Sequence, residues 1–229
     1  MSRAGAIALV TGATGGIGGA LAAALAAEGT RVHGLVRKTP ANAADRHTVD
    51  LADEADVERA ASVLAAALPE LDLLVHAAGA YATGALAEAP LADLDRLWRV
   101  NVRAPWVLTR ALLPALRRRR GWVVFVNSSV WGAARGGMGG YAASKYALKA
   151  MADSLRAEVN GDGVRVLSVF PGRTASRMQE VVHREEGKPY RPEALLQPED
   201  VAAAVMGMLA LPATAETTDL YIRPARKGA

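Results

Sequence analysis

No cysteine occurs anywhere in the chain. That excludes disulfides, thiolate metal sites and a thiol nucleophile, and it suits a reducing cytoplasm, where the protein is expected to reside. The four histidines, His33, His47, His76 and His183, are isolated and show no paired spacing of the His-x-x-x-His kind, so no metal site is expected. Long apolar runs are also missing. No uninterrupted stretch approaches the roughly 20 residues needed to span a bilayer, and the run Ala6 to Val10 is too short for a signal peptide, so no membrane association is expected. The one dense basic run, Arg117 to Arg120, follows a helical segment and precedes a strand. Cations there oppose the negative end of a helix dipole, so the net charge of +4 reads as a capped helix and not as a nucleic-acid surface.

What is present is a regular alternation. Ala6–Val10, Arg31–Val36, His47–Asp50, Leu71–Ala77, Gly121–Asn127, Val164–Phe170 and Leu220–Arg223 read as strands, and several are near-continuous apolar runs, as a parallel strand covered on both faces requires. Helical patterns lie between them at Ala20–Glu28, Glu54–Ala67, Leu91–Arg118, Tyr141–Val159 and Glu199–Leu211. The pattern predicts an α/β doubly wound Rossmann fold, about seven parallel strands flanked by helices, with residues 1–229 forming one dinucleotide-binding and catalytic domain. Only Arg173 to Gln197 reads as an extended irregular stretch, polar and interrupted by Gly187, Pro189 and Pro192, and it is expected to act as a lid over a substrate site.

Directly after the first strand stands Thr11-Gly12-Ala13-Thr14-Gly15-Gly16-Ile17-Gly18, followed by an alanine-rich helical run. Glycines there allow positive φ and close approach of a diphosphate to the backbone, while the free N–H groups and positive dipole end of the next helix attract its charge. Gly12, Thr14, Gly15, Gly16, Ile17 and Gly18 are therefore candidate cofactor contacts. After the second strand, an NAD-preferring site usually carries a carboxylate for the ribose. Here Val36 occupies that place and Arg37-Lys38 follow, two cations suited to a 2′-phosphate, so NADP(H) is the expected cofactor. Asp50 and Leu51, past the third strand, are placed for the adenine amino group.

Tyr141-Ala142-Ala143-Ser144-Lys145 opens a helix, so tyrosine and lysine share one face. A nearby ammonium favours phenolate and is expected to lower the tyrosine pKa. Upstream, Asn127-Ser128-Ser129 ends a strand where a hydroxyl can polarise a carbonyl. Over nearly its whole length the chain resembles the short-chain dehydrogenase/reductase family of short, single-domain type. The resemblance implies that Asn101, Ser129, Tyr141 and Lys145 are the catalytic set: Tyr141 moves the substrate proton, Ser129 orients the carbonyl, Lys145 tunes the tyrosine and holds the ribose, and Asn101 anchors a relay water. Ser129 is taken over Ser128 because Ser129-Val130-Trp131-Gly132 fits the family's Ser-x-x-Gly pattern. By the same resemblance Ala78, Gly79, Pro171, Gly172 and Thr174 join Tyr141 and Lys145 at the cofactor.

The expected activity is hydride transfer between NADP(H) and a small carbonyl or secondary alcohol, in a homodimer or homotetramer. A non-catalytic NADP(H) sensor and an epimerase or dehydratase are the alternatives. Where the family usually has Asn-Asn-Ala-Gly, this chain has His76-Ala77-Ala78-Gly79, with His76 expected to be a packed strand-end residue. Tyr81, Trp131, Met138 and the lid are expected to line the pocket, with Arg173, Arg177, His183, Arg184, Lys188 and Arg191 available to an anionic substrate or simply solvated. Pro105 lacks the N–H that would bond to the Asn101 carbonyl, which predicts a kink at Asn101.

Overall fold

The computed structural model describes residues 4–38, 45–132 and 134–225. Strands β1 (Ile7–Thr11), β2 (Arg31–Val36), β3 (Arg46–Thr48), β4 (Leu73–His76), β5 (Trp122–Val126), β6 (Arg165–Pro171) and β7 (Asp219–Ile222) form one parallel sheet in the order β3-β2-β1-β4-β5-β6-β7. The register aligns Val10 with Gly34 on one side and Val75 on the other, and continues from Val75 through Val124 to Leu167. The strand order reverses between β1 and β4, so their carboxyl ends open the crevice where ligands bind in such sheets. This is the doubly wound architecture that the alternation predicts.

Both faces of the sheet are covered, which is why the central strands carry apolar residues at successive positions. Leu9, Leu35, Leu74 and Phe125 pack on one face beneath α2 (Glu54–Ala67), α4 (Ala104–Arg119) and α5 (Gly139–Val159). Ala8, Val10, Val75 and Val124 pack on the other beneath α1 (Gly16–Ala27) and α7 (Pro198–Leu209). No described helix is long and apolar enough to cross a membrane.

The helical pattern from Leu91 onward is divided. α3 (Leu91–Trp98) runs into a π turn, Arg99–Arg103, before α4 begins, and the Ala104 N–H bonds to the Arg99 carbonyl five residues back. Pro105 has no N–H to offer the Asn101 carbonyl, so the regular α ladder is interrupted at the position the sequence points to. The segment Arg173–Gln197 contains a helix that its polar composition hides. α6 (Arg177–Glu185) is capped by Ser176, whose hydroxyl accepts from the Gln179 N–H at 3.2 Å.

At the opposite end of the sheet the basic run is structural. Arg117 pairs with Asp162 at 2.6 Å, Arg118 donates to the Pro69 carbonyl at 2.6 Å, and Arg119 pairs with Asp72 at 3.0 Å. These bonds fasten the end of α4 to the loops beneath β4 and β6.

His76 is buried at the end of β4, with Nε2 2.9 Å from the Thr109 hydroxyl and its ring stacked on Phe125. Its Nδ1 has no partner among the described residues, and burial pushes its pKa down from 6.5 to about 3. The unfolded chain therefore binds a proton in a range where the folded chain does not. Stability is expected to be full above pH 6.5 and to fall as pH drops toward 3. His76→Gln should flatten this dependence in urea unfolding series at pH 7.5, 6.5 and 5.5, where the wild-type midpoint declines.

Candidate active site

At the crevice, β1 and β4 are tied together before any ligand is considered. The Thr11 hydroxyl accepts from both Ala77 N–H and Ala78 N–H at 3.0 Å. Gly12, at φ +69°, passes so near that a Cβ would lie 3.1 Å from the Ala78 backbone, and a Cβ on Gly18 would reach within 2.5 Å of the Gly12 carbonyl oxygen. Gly16 is also left-handed, at φ +51°. Gly15 caps α1 without a side chain, and no acid stands in the first turn. The first amides of α1 thus face a concavity without an internal anion, beside the exposed Thr14 and Gly15, while Ile17 packs into the core behind them. This is a fit for a dinucleotide diphosphate.

Arg37 and Lys38 follow the buried Val36 and are both exposed. Asp50 is partly committed: its carboxylate accepts from the Ala52 N–H at 2.9 Å, and its own N–H donates to Asp56 at 2.7 Å. Leu51 packs against the core.

The chemical end is built on Asn101, presented by the π turn and 1% exposed. Its Oδ1 accepts from the Ala80 N–H at 2.8 Å, and its Nδ2 donates to the Ala80 carbonyl and the Ser144 hydroxyl, both at 3.0 Å. Ser144 in turn donates to the Tyr141 carbonyl at 2.7 Å. Lys145 is buried, with Nζ donating to the Val126 carbonyl at 3.1 Å and lying 5.9 Å from the centre of the Tyr141 ring. Asn127 reciprocates by donating to the Lys145 carbonyl at 3.1 Å. Gly79 faces the same point: a Cβ there would lie 3.6 Å from Asn101 Oδ1, 3.8 Å from Lys145 Nζ and 3.9 Å from Met178 Cε.

Two expectations change. Of the two adjacent serines, Ser128 is the one that acts on the Tyr141 hydroxyl, pulling its pKa down. Ser128 Oγ accepts from the Val130 N–H at 3.3 Å, which turns it inward, whereas Ser129 opens a 3-10 turn with its side chain exposed. Ser129 is thus the outward-facing member of the pair in this structure. Second, burial pushes the Tyr141 pKa above its ordinary value, with the Ser128 hydrogen bond pulling the other way. Lys145 is not among the influences on the phenol, and burial pushes the lysine itself down from 10.5 to about 8.

The segment Arg173–Gln197, expected to be a lid, packs beside these residues. Gly172 donates to the Ile222 carbonyl at 2.8 Å, and the buried Thr174 donates to the Gly172 carbonyl at 3.1 Å, holding the turn that follows Pro171. Ser176 abuts Gly16, Met178 reaches Gly79, and the Thr83 hydroxyl donates to Glu185 at 2.9 Å. Arg173 makes two bonds to Glu186, at 2.6 and 2.8 Å, and Lys188 a third at 2.8 Å, holding that carboxyl at a pKa of about 2. Two of the cations considered for an anionic substrate are thus paired within the lid, and His183 is buried with Nδ1 2.8 Å from the Gln179 carbonyl. Tyr81 meets Tyr141 edge to face at 5.2 Å, and Met138 packs beside them. Trp131 instead packs on Phe170, Tyr146 and Tyr221.

Residues 6–187 match the short chain dehydrogenase family. The chain belongs to the short-chain dehydrogenases. It is 33% identical over 227 residues to a short-chain type dehydrogenase/reductase of Sinorhizobium fredii, covering 95% of this chain and 91% of that one. It is 32% identical over 213 residues to a 3-oxoacyl-[acyl-carrier-protein] reductase of Rickettsia felis, covering 86% of each. A short chain dehydrogenase from Burkholderia cenocepacia in complex with NADP superposes with a TM-score of 0.81 at 30% identity, over 97% of this chain and 98% of that one. This short-chain dehydrogenase is therefore an oxidoreductase of a family that binds NAD(P)(H), and its glycine cradle fits such a dinucleotide. Of the residues at its chemical end, Ser144 and Met178 escape the sequence reading. The signal for Ser144 was its place on the buried face of α5, where a hydroxyl needs a partner.

Replacing Asn101 by Ala would leave the Ala80 N–H, the Ala80 carbonyl and Ser144 short of partners in a buried place. The expected loss is about 2–4 kcal/mol of unfolding free energy, since each unsatisfied buried group costs roughly 1–3 kcal/mol. Chemical denaturation of the ligand-free protein measures it, and a loss below about 0.5 kcal/mol contradicts this account of the clamp.

Proposed function

We propose that this dehydrogenase is an NADP(H)-dependent carbonyl reductase or secondary-alcohol dehydrogenase in which Tyr141 is the proton donor. The observation that carries the reading is the buried Tyr141, with the Lys145 ammonium 5.9 Å from its ring centre and beside Gly79, and with Ser128 acting on its hydroxyl, at the same crevice as the glycine cradle. The cofactor, when bound, supplies or accepts the hydride. Thr14 and the amides from Gly15 to Gly18 would hold the diphosphate, with Gly12 allowing its approach. Arg37 and Lys38 would hold the 2′-phosphate, Asp50 and Leu51 the adenine, and Ala78, Gly79, Pro171, Gly172 and Thr174 the nicotinamide half.

Reduction needs the phenol protonated, and burial favours that form. The Ser128 hydroxyl and Tyr141 hydroxyl converge on one carbonyl oxygen, and the phenol proton passes to that oxygen as charge develops. The phenolate left behind is stabilised by the Ser128 hydrogen bond and the Lys145 ammonium. Asn101 acts on this chemistry by fixing Ser144, and with it the second turn of α5. The second reading gives the carbonyl-orienting role to Ser129, by the Ser-x-x-Gly pattern that ends at Gly132.

Tyr141→Phe is expected to lower kcat at least about 1000-fold while NADPH binding by calorimetry stays within about threefold, because only the transferable proton is lost. Ser128→Ala should lower kcat about 100-fold, with Ser129→Ala within about threefold of wild type. Retained turnover in Tyr141→Phe would show that another group supplies the proton, and the reverse ranking of the serines would return the role to Ser129. Steady NADPH oxidation across a panel of ketones and aldehydes separates the reductase from a sensor, which binds without turnover.

We also assign the partner of this protein as a second copy of itself, docked on the apolar groove between α3–α4 and α5. Trp98 and Trp106 stand about half exposed there beside Val102, Ala147, Ala150 and Met151. Trp106→Glu is expected to convert a dimer or tetramer to a smaller species in light scattering. A wild type that is monomeric at micromolar concentration would refute the assignment.

A further inference from the structure

Arg46, the first residue of β3, pairs in register with Gly34 of β2. Its side chain folds back over that glycine. A Cβ on Gly34 would collide with the Arg46 guanidinium and would lie 2.8 Å from its Cδ and 3.0 Å from the Ala13 Cβ. The guanidinium thus lies in a notch floored by Gly34 and walled by Ala13, a residue of the glycine loop itself.

Among the described residues no carboxylate is paired with Arg46 and none of its nitrogens is hydrogen-bonded. The adjacent acid, Asp45, is taken by Arg31 through bonds of 2.9 and 3.2 Å. Arg46 is half-buried, and with no carboxylate partner among the described residues its guanidinium is available to an outside anion. It is also preorganised for a phosphate, which its planar fork engages through two parallel bonds. Arg37 and Lys38 follow the same strand, three and four residues beyond Gly34, and are exposed.

We propose that Arg46 is a specificity-determining residue for the 2′-phosphate of NADP(H), and that Gly34 is the residue that makes room for it. The inference rests on the NADP(H) reading above and adds to it a cation from β3, level with Gly34 and so two positions short of the end of β2. The 2′-phosphate is the part of NADP(H) that NAD(H) lacks, so a cation there acts on discrimination and leaves the diphosphate and nicotinamide contacts alone. Glycine at position 34 follows from the same geometry: any side chain would push the guanidinium out of the notch.

Calorimetric titration of the full chain with NADP⁺, NAD⁺ and 2′,5′-ADP tests this without reference to turnover. Arg46→Met keeps the aliphatic stem and is expected to weaken NADP⁺ and 2′,5′-ADP about ten- to 100-fold, with NAD⁺ within about twofold, as removal of one charge-assisted bond requires. Gly34→Ala should weaken the same two ligands in the same direction. If wild type binds NAD⁺ as tightly as NADP⁺, the cofactor reading itself falls. If wild type prefers NADP⁺ and Arg46→Met keeps that preference while Arg37→Ala loses it, the cofactor reading stands and the role of Arg46 is overturned. Equal weakening of NADP⁺ and NAD⁺ in Arg46→Met also overturns it, since that marks a structural part. Should Gly34→Ala fail to fold, Arg46→Met decides alone.

Discussion

Asn101 joins three segments of the active end with one side-chain amide: the loop after β4 through Ala80, the second turn of α5 through Ser144, and the π turn that carries it. Each of these bonds is buried, so none is weakened by exchange with water, and each partner would be costly to leave unmade. Tyr141 and Lys145 are aimed by that clamp, because α5 begins two residues before the tyrosine and is steadied there by Ser144. Asn127 and Val126 complete the arrangement from β5, one holding the lysine carbonyl and the other receiving its ammonium. Remove the amide, and the tyrosine, the lysine and the glycine that faces them lose their common reference.

Burial sets the electrostatics of the same group. Among the described residues the lysine ammonium has a carbonyl but no carboxylate against it, and the phenol sits where charge is penalised. In this state the pocket favours neutral groups, and a phenol is the form in which tyrosine can give a proton. The lid carries its charges in internal pairs, notably Arg173 with Glu186, so the chamber beside Tyr141 is lined by Tyr81 and Met138 more than by free ions. Hydrophobic enclosure and proton transfer are therefore products of one design: the elements that exclude water also set the protonation state.

Much of this was legible in the sequence because it rests on local rules. The near-continuous apolar runs announced central parallel strands, the glycines after β1 announced a diphosphate turn, and Tyr141 and Lys145 announced themselves by helical spacing. Pro105 marked the break in the helix that carries Asn101, since the lack of a single N–H is a local fact. What was not legible depended on contacts between distant segments. Spacing to Gly132 favoured Ser129, but which of two adjacent serines turns inward is decided by the Val130 N–H and the 3-10 turn. Helix α6 was hidden because its polar face dominates its composition, while Val182 and His183 are buried only once the chain has folded back over the site. Trp131 was expected in the pocket, yet the aromatic groups of β6, β7 and α5 offered it a larger surface to pack on.

The π turn has a geometric consequence for the helices on either side of it. Each residue of an α-helix advances the azimuth by about 100°, so a turn that accommodates one more residue than usual rotates everything after it by that amount. α3 directs Leu97 toward Tyr141 and Ala142 at the start of α5, whereas α4 directs Leu108 and Leu112 onto the sheet. A continuous helix from Leu91 to Arg119 would have to send both sets of side chains along one stripe. The inserted residue acts as a phase shifter: it lets one nearly uninterrupted rod serve two partners in different directions, and it sets the asparagine at the seam between them.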